Sequence, residues 1–221
     1  MVSSSVYQNR SLLDRIYAVL NGYGYEVWMS HKDSLPVFSG KSNYENCLEA
    51  VETCDVFVGI VSPFYGSGRT DDGRTITHCE LRKAIKLEKL RWILADQRVV
   101  FARQLLKQFR FRQDGKPRAN FQFSKTSVLD SVGVIEMYED ATREDVPLED
   151  RTGNWVHEYR DEEHAIHIIS RQLSNIDRVR EFLKRKEEGS RGYNKSKARH
   201  SCQGVHASRL QGRRMRRCQN C

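Results

Sequence analysis

Apolar residues recur at spacings of three and four from Ser11 to Leu20, with Leu12, Leu13, Ile16, Val19 and Leu20 on one stripe, which predicts an amphipathic helix. Gly22 and Gly24 stop it, and Tyr25–Met29 then reads as a strand. Ser42 followed by Glu45 spells a capping box at the start of a helix whose apolar side holds Leu48, Ala50 and Val51. Val56–Val61 is a continuous apolar run, as expected of a strand buried on both faces. A glycine-rich loop, Ser62–Gly73, leads into a helix predicted over Ile76–Glu88. A strand at Arg91–Ala95, a helix at Arg98–Phe109 and a polar surface loop at Gln113–Ala119 follow. Val132–Met137 reads as the last strand, and Glu162–Lys186 as one long helix with Ile166, Ile169, Leu173, Ile176, Val179 and Leu183 on its stripe. Strands alternating with helices predict a parallel sheet covered on both faces.

Composition changes this picture at one end only. The 221 residues carry a formal charge of +8, yet residues 189–221 hold nine Lys/Arg and no acid, leaving residues 1–188 at a net of −1. The expected organisation is therefore an α/β domain over 1–186 and a basic, disordered tail over 187–221. Large aliphatic residues in that tail are too few to offset its ordering entropy. Arginines there suit weak, nonspecific contact with nucleic acid. His200, Cys202, His206, Cys218 and Cys221 offer zinc-like spacing on little scaffold, and a shifted reading frame is a further explanation of the tail. No apolar run is long enough to span a membrane, and the N-terminus carries no apolar signal core, so a cytoplasmic location is expected. Cys47, Cys54 and Cys79 then read as small core residues in a reducing compartment.

Several blocks together resemble a known family. Val2–Tyr7, Gly24–Trp28, Asn46–Leu48, Cys54–Ile60, Tyr65–Gly68 and Ile76–Leu81 resemble domain of unknown function 4062, in that family's order. The family in turn looks like the Toll/interleukin-receptor (TIR) superfamily and the nucleoside deoxyribosyltransferases. That resemblance implies a flavodoxin-like sheet of order 2-1-3-4-5. It also implies a signalling or defence setting, self-association through the domain, and in some members cleavage of the N-glycosidic bond of NAD or nucleosides. The sequence departs from the family in beginning inside the first strand, so restoring upstream residues is expected to raise the melting temperature.

In such a sheet, ligands sit beyond the carboxyl ends of the strands where connections diverge. The loops there are Ser3-Ser4-Ser5 and the segment containing Tyr65, Gly66, Ser67 and Gly68, whose hydroxyls and amides suit ribose or phosphate oxygens. Trp28 and Tyr65 are candidates for stacking on a base, or supports within the fold. Glu80 is the candidate catalytic carboxylate, because the related enzymes place a glutamate on the corresponding helix. Its competing reading is a capping box, Thr77-His78-Cys79-Glu80. His78-x-Glu80 lacks the Pro-Cys-x-x-Cys partner of a zinc deaminase, and neither a phosphate-binding Gly-x-x-x-x-Gly-Lys nor a Gly-x-Ser-x-Gly elbow occurs. Neither a metal nor a cofactor is expected. The chain thus reads as a nucleotide-binding, possible N-glycosidase domain, or as a non-catalytic interaction module.

Overall fold

A four-stranded parallel sheet organises the computed structural model, which describes residues 1–186 and Glu188. Its strands are β1 (Val2–Ser4), β2 (Val56–Val61), β3 (Leu90–Asp96) and β4 (Val156–Tyr159), hydrogen-bonded in the order β1-β2-β3-β4. The register sets Val2 against Val58, Val56 against Leu90 and Ile93 against Val156. The apolar run of β2 fits its place between two neighbours: Phe57, Val58, Ile60 and Val61 are all buried.

Among the described residues of Met1–Ile176, six helices flank the sheet: α1 (Arg10–Gly22), α2 (Asn43–Thr53), α3 (Ile76–Lys86), α4 (Gln97–Arg110), α5 (Gly133–Thr142) and α6 (Glu162–Leu173). Strand alternation divides the core. Phe57, Val61, Ile93 and Ala95 join one cluster with Val51 of α2, Leu81 of α3, Val99 of α4 and Ile135 of α5. Val58, Ile60 and Leu94 are buried outside that cluster, on the face where α1 packs against α6. Helix starts follow the expected chemistry. Ser42 and Glu45 complete a reciprocal capping box at α2, while Asp96 and Asp161 accept backbone N–H groups at α4 and α6.

Three expected elements need correction, and with the first of them the order 2-1-3-4-5, since the sheet has four strands among the described residues and β1 stands at its end. Tyr25–Met29 forms no strand; β1 spans three residues, and the Val2 N–H donates to the Trp28 carbonyl at 2.9 Å. Val132–Met137 lies in α5, not in a strand: Val134, Ile135, Met137, Tyr138 and Ala141 have helical spacing and bury one side. The last strand is instead Val156–Tyr159, between the exposed Trp155 and the cap of α6. Finally, α6 stops at Leu173, and helical backbone resumes only at 176. Ser174 and Asn175 interrupt it, both side chains that compete with the helix for backbone hydrogen bonds.

By its contacts the chain divides into Met1–Ile176 and a second unit from Asp177 onward, helical over 177–186. The expectations about the basic tail and its His/Cys spacing lie outside the described residues. No helix among the described residues is long and apolar enough to cross a membrane.

Candidate functional site

At the carboxyl end of β1 the chain leaves the sheet through Ser4 and Ser5, and at the end of β2 it enters the glycine-rich loop. Between these exits, α2, α3 and the segment after Met29 enclose a cleft of about 490 Å³. Ser3, Ser4, Ser5, Gly66, Ser67 and Glu80 line it together. Trp28, Tyr65 and Gly68, singled out from the sequence alongside them, do not.

Those three residues have other surroundings. Trp28 is half-buried, and its indole N–H donates to Glu26 Oε1 at 2.9 Å. Tyr65 is buried; its hydroxyl bonds His78 Nδ1 at 2.6 Å, and its backbone N–H donates to Asp130 Oδ1 at 2.8 Å. His78 continues through Nε2 to Asp140 Oδ2 at 2.8 Å, and Arg82 meets the same oxygen at 3.0 Å. Tyr65 is therefore a strut that ties the loop to α3 and α5, the supporting role weighed for it above. Gly68 accepts the Ile76 N–H through its carbonyl at 3.3 Å and so closes the loop onto the start of α3.

Ser5 also serves structure more than ligand. Its hydroxyl donates to the Phe64 carbonyl at 2.7 Å and lies 3.1 Å from Ser62 Oγ, and Asn9 Nδ2 reaches Ser62 Oγ at 2.7 Å. This clasp fixes the loop exit against β1. Gly66 is required beside it: φ is +88°, and a Cβ would stand 3.2 Å from the Ser5 Cβ.

Glu80 has a role different from capping. Thr75 is the N-cap of α3 and accepts from the His78 N–H, which places Glu80 beyond the turn where an acid can reach back. Its carboxylate accepts from the Ser3 hydroxyl and the Cys47 thiol instead. Burial raises the Glu80 pKa to about 7 despite those two donors. Burial, then the Glu80 charge, pushes the Cys47 thiol up to about 12, so Cys47 is a proton-holding donor at neutral pH and not a nucleophile. Cys54 is buried as expected, whereas Cys47 is only half-buried and faces the cleft, so its reading as a core residue was mistaken. The block Asn46-Cys47-Leu48 was the one signal that could have marked it.

Asn46, also overlooked, is a buried clasp. Its Oδ1 accepts the Phe38 N–H at 2.8 Å, and its Nδ2 approaches the carbonyls of Phe38, Lys41 and Ser42 at 3.0–3.2 Å. Together these bonds hold the segment that carries Leu35 and Val37 over the cleft. Asn46→Ala should therefore remove hydrogen-exchange protection at the Phe38 amide while leaving β2 and β3 protected. Unchanged protection at Phe38 would show that the segment is held by other means.

A buried carboxyl hydrogen-bonded only by neutral donors, at the carboxyl edge of a parallel sheet, can stabilise a positive charge that develops or arrives nearby. The family model described as a domain of unknown function, DUF4062, matches residues 1–174. No curated protein and no solved structure matches the chain.

Proposed function

We propose, for a chain that belongs to the DUF4062 family, that the cleft beside β1 binds the ribosyl part of NAD or a related nucleotide and that Glu80 assists cleavage of its N-glycosidic bond. The supporting observation is the buried Glu80 carboxyl, held by Ser3 and Cys47 and facing a cleft of nucleoside size. The resemblance to TIR-like enzymes points the same way. In the step envisaged, the bond between C1′ and the nicotinamide nitrogen breaks with its electron pair going to nitrogen, so neutral nicotinamide leaves. Water bonds to C1′ and loses a proton. Positive charge spreads over C1′ and the ring oxygen in between, and ionised Glu80 stabilises it, as carboxylates do in glycoside hydrolysis.

The test is incubation of the full chain with NAD at high protein concentration and with a crowding agent, following free nicotinamide. Time-dependent release is expected. No release under those conditions rules out the catalytic reading for NAD.

One observation favours the alternative of a non-catalytic association module. Phe101, Leu105 and Phe109 are 64%, 52% and 52% exposed, four residues apart along the outer side of α4. Such a stripe suits contact with a second copy of the domain. If it serves that role, Phe101→Lys should shift a concentration-dependent sedimentation profile toward monomer. A profile already monomeric at high concentration would remove this reading.

A further inference from the structure

The cleft has an unusual charge inventory for a site meant to hold a nucleotide. Its charged side chains are Asp33 and Glu80, both acidic, and neither lysine nor arginine lines it. Met1 also lines it, but its ammonium donates to the carbonyl of Val56, the first residue of β2, at 2.9 Å. The nearest arginines of the glycine-rich loop are engaged elsewhere. Arg69 donates to the Gly73 carbonyl at 3.0 Å and lies over the Tyr65 ring, and Arg74 pairs with Asp72.

Part of the glycine-rich loop spends its backbone donors internally. The N–H groups of Phe64, Tyr65, Thr70, Gly73 and Ile76 donate to Ser62, Asp130, Arg74, Thr70 and Gly68 within the protein. At α2, Ser42 accepts from the Glu45 and Asn46 N–H groups. A diphosphate entering here would meet two carboxyls and no side-chain cation. A cation would meet a buried carboxyl hydrogen-bonded by a hydroxyl and a thiol, the partner that Glu80 lacks within the fold.

Resting on the reading that the cleft takes an N-riboside, we infer that its preferred substrate class is the cationic nucleoside, a ribosyl pyridinium or similar ring. The positive ring is recognised at Glu80 and Asp33, and any phosphates are left outside. The direction of the Glu80 pKa agrees with this, since a bound cation favours the ionised form.

The experiment is calorimetric titration of the full chain with nicotinamide riboside, its neutral dihydro form, and NAD. Nicotinamide riboside should bind at least tenfold more tightly than its dihydro form, and NAD no more tightly than the riboside. In Glu80→Gln the gap between riboside and dihydro form should shrink toward unity. Asp33→Asn, at an exposed position whose left-handed backbone asparagine also adopts, should narrow it about twofold. NAD binding tenfold tighter than the riboside would overturn the inference while leaving N-glycosidic cleavage of a nucleotide standing. Charge-selective binding of the riboside without nicotinamide release would uphold the inference and remove the catalytic reading. Absence of binding by all three would overturn both.

Discussion

Glu80→Gln should make the protein harder to unfold at pH 8 while removing N-glycosidic cleavage. In the folded state Glu80 holds its proton up to about pH 7, whereas in the unfolded chain it titrates near 4.5. Between these values the native state binds the extra proton, so stability falls as pH rises from 4.5 to 7 and stays at its lower value above. The shift corresponds to ~3 kcal/mol, most of which glutamine, neutral at every pH, recovers at pH 8 and none of which it recovers below pH 4.5. Urea unfolding of both proteins at pH 4.5 and pH 8 measures the difference directly. A variant no more stable than the parent at pH 8 would show that Glu80 is better solvated than its surroundings indicate. On the proposed mechanism the same substitution removes the negative charge that stabilises the transition state, so turnover should fall on the order of 10²-fold or more. In the parent, turnover should rise with pH through about 7 as the carboxyl ionises. A flat profile would exclude Glu80 as the stabilising group.

Gly133→Ala should destabilise the domain by ~2 kcal/mol. Gly133 is the first residue of α5, and a Cβ there would come within 2.4 Å of two ring atoms of Tyr65. The ring has little room to withdraw, since its hydroxyl is bonded to His78 and its backbone N–H to Asp130. Alanine in place of glycine at a helix start returns less than 1 kcal/mol in chain entropy, which the overlap outweighs. Tyr65→Phe in the Gly133→Ala background releases the hydroxyl tether and should recover part of the loss. A cost below ~0.5 kcal/mol would mean the ring moves freely and the strut is weaker than its bonds imply.

What was legible in the sequence depended on how much of each element's environment was local. The run at Val56–Val61 and the stripe of α1 are set by residues within a few positions, and both elements are where pattern places them. The run at Val132–Met137 shows the limit. A short apolar stretch looks the same in a buried strand and in a helix, and the packing against α3 and α4 that decides for helix comes from elsewhere in the chain. Val156–Tyr159 escaped notice because it holds a single β-branched residue, and its pairing with Ile93–Asp96 depends on a distant strand. The site divides in the same way. Ser3 and Glu80 were marked by position and by the family's pattern, but the contact between them joins residues 77 apart. Cys47 and Asn46 gave no charge or periodicity signal. Their parts follow only from α2 lying beside α3. The capping box read at Thr77–Glu80 is out of phase by two residues, because the N-cap of the helix is Thr75.

The brevity of β1 has a consequence for how the cleft is lost. Ser3, which holds Glu80, belongs to a strand that pairs over three residues, whereas β2 and β3 pair over six. Openings that detach β1 from the edge of the sheet therefore require less free energy than those that part β2 from β3. Each such opening takes one wall from the cleft and gives Glu80 to water, which lowers its proton affinity and favours its ionised form. Ligand capacity then behaves as a marginal property of a well-built core. On warming or mild denaturation it declines ahead of the helical signal, and any molecule that fills the cleft slows the fraying of this one strand.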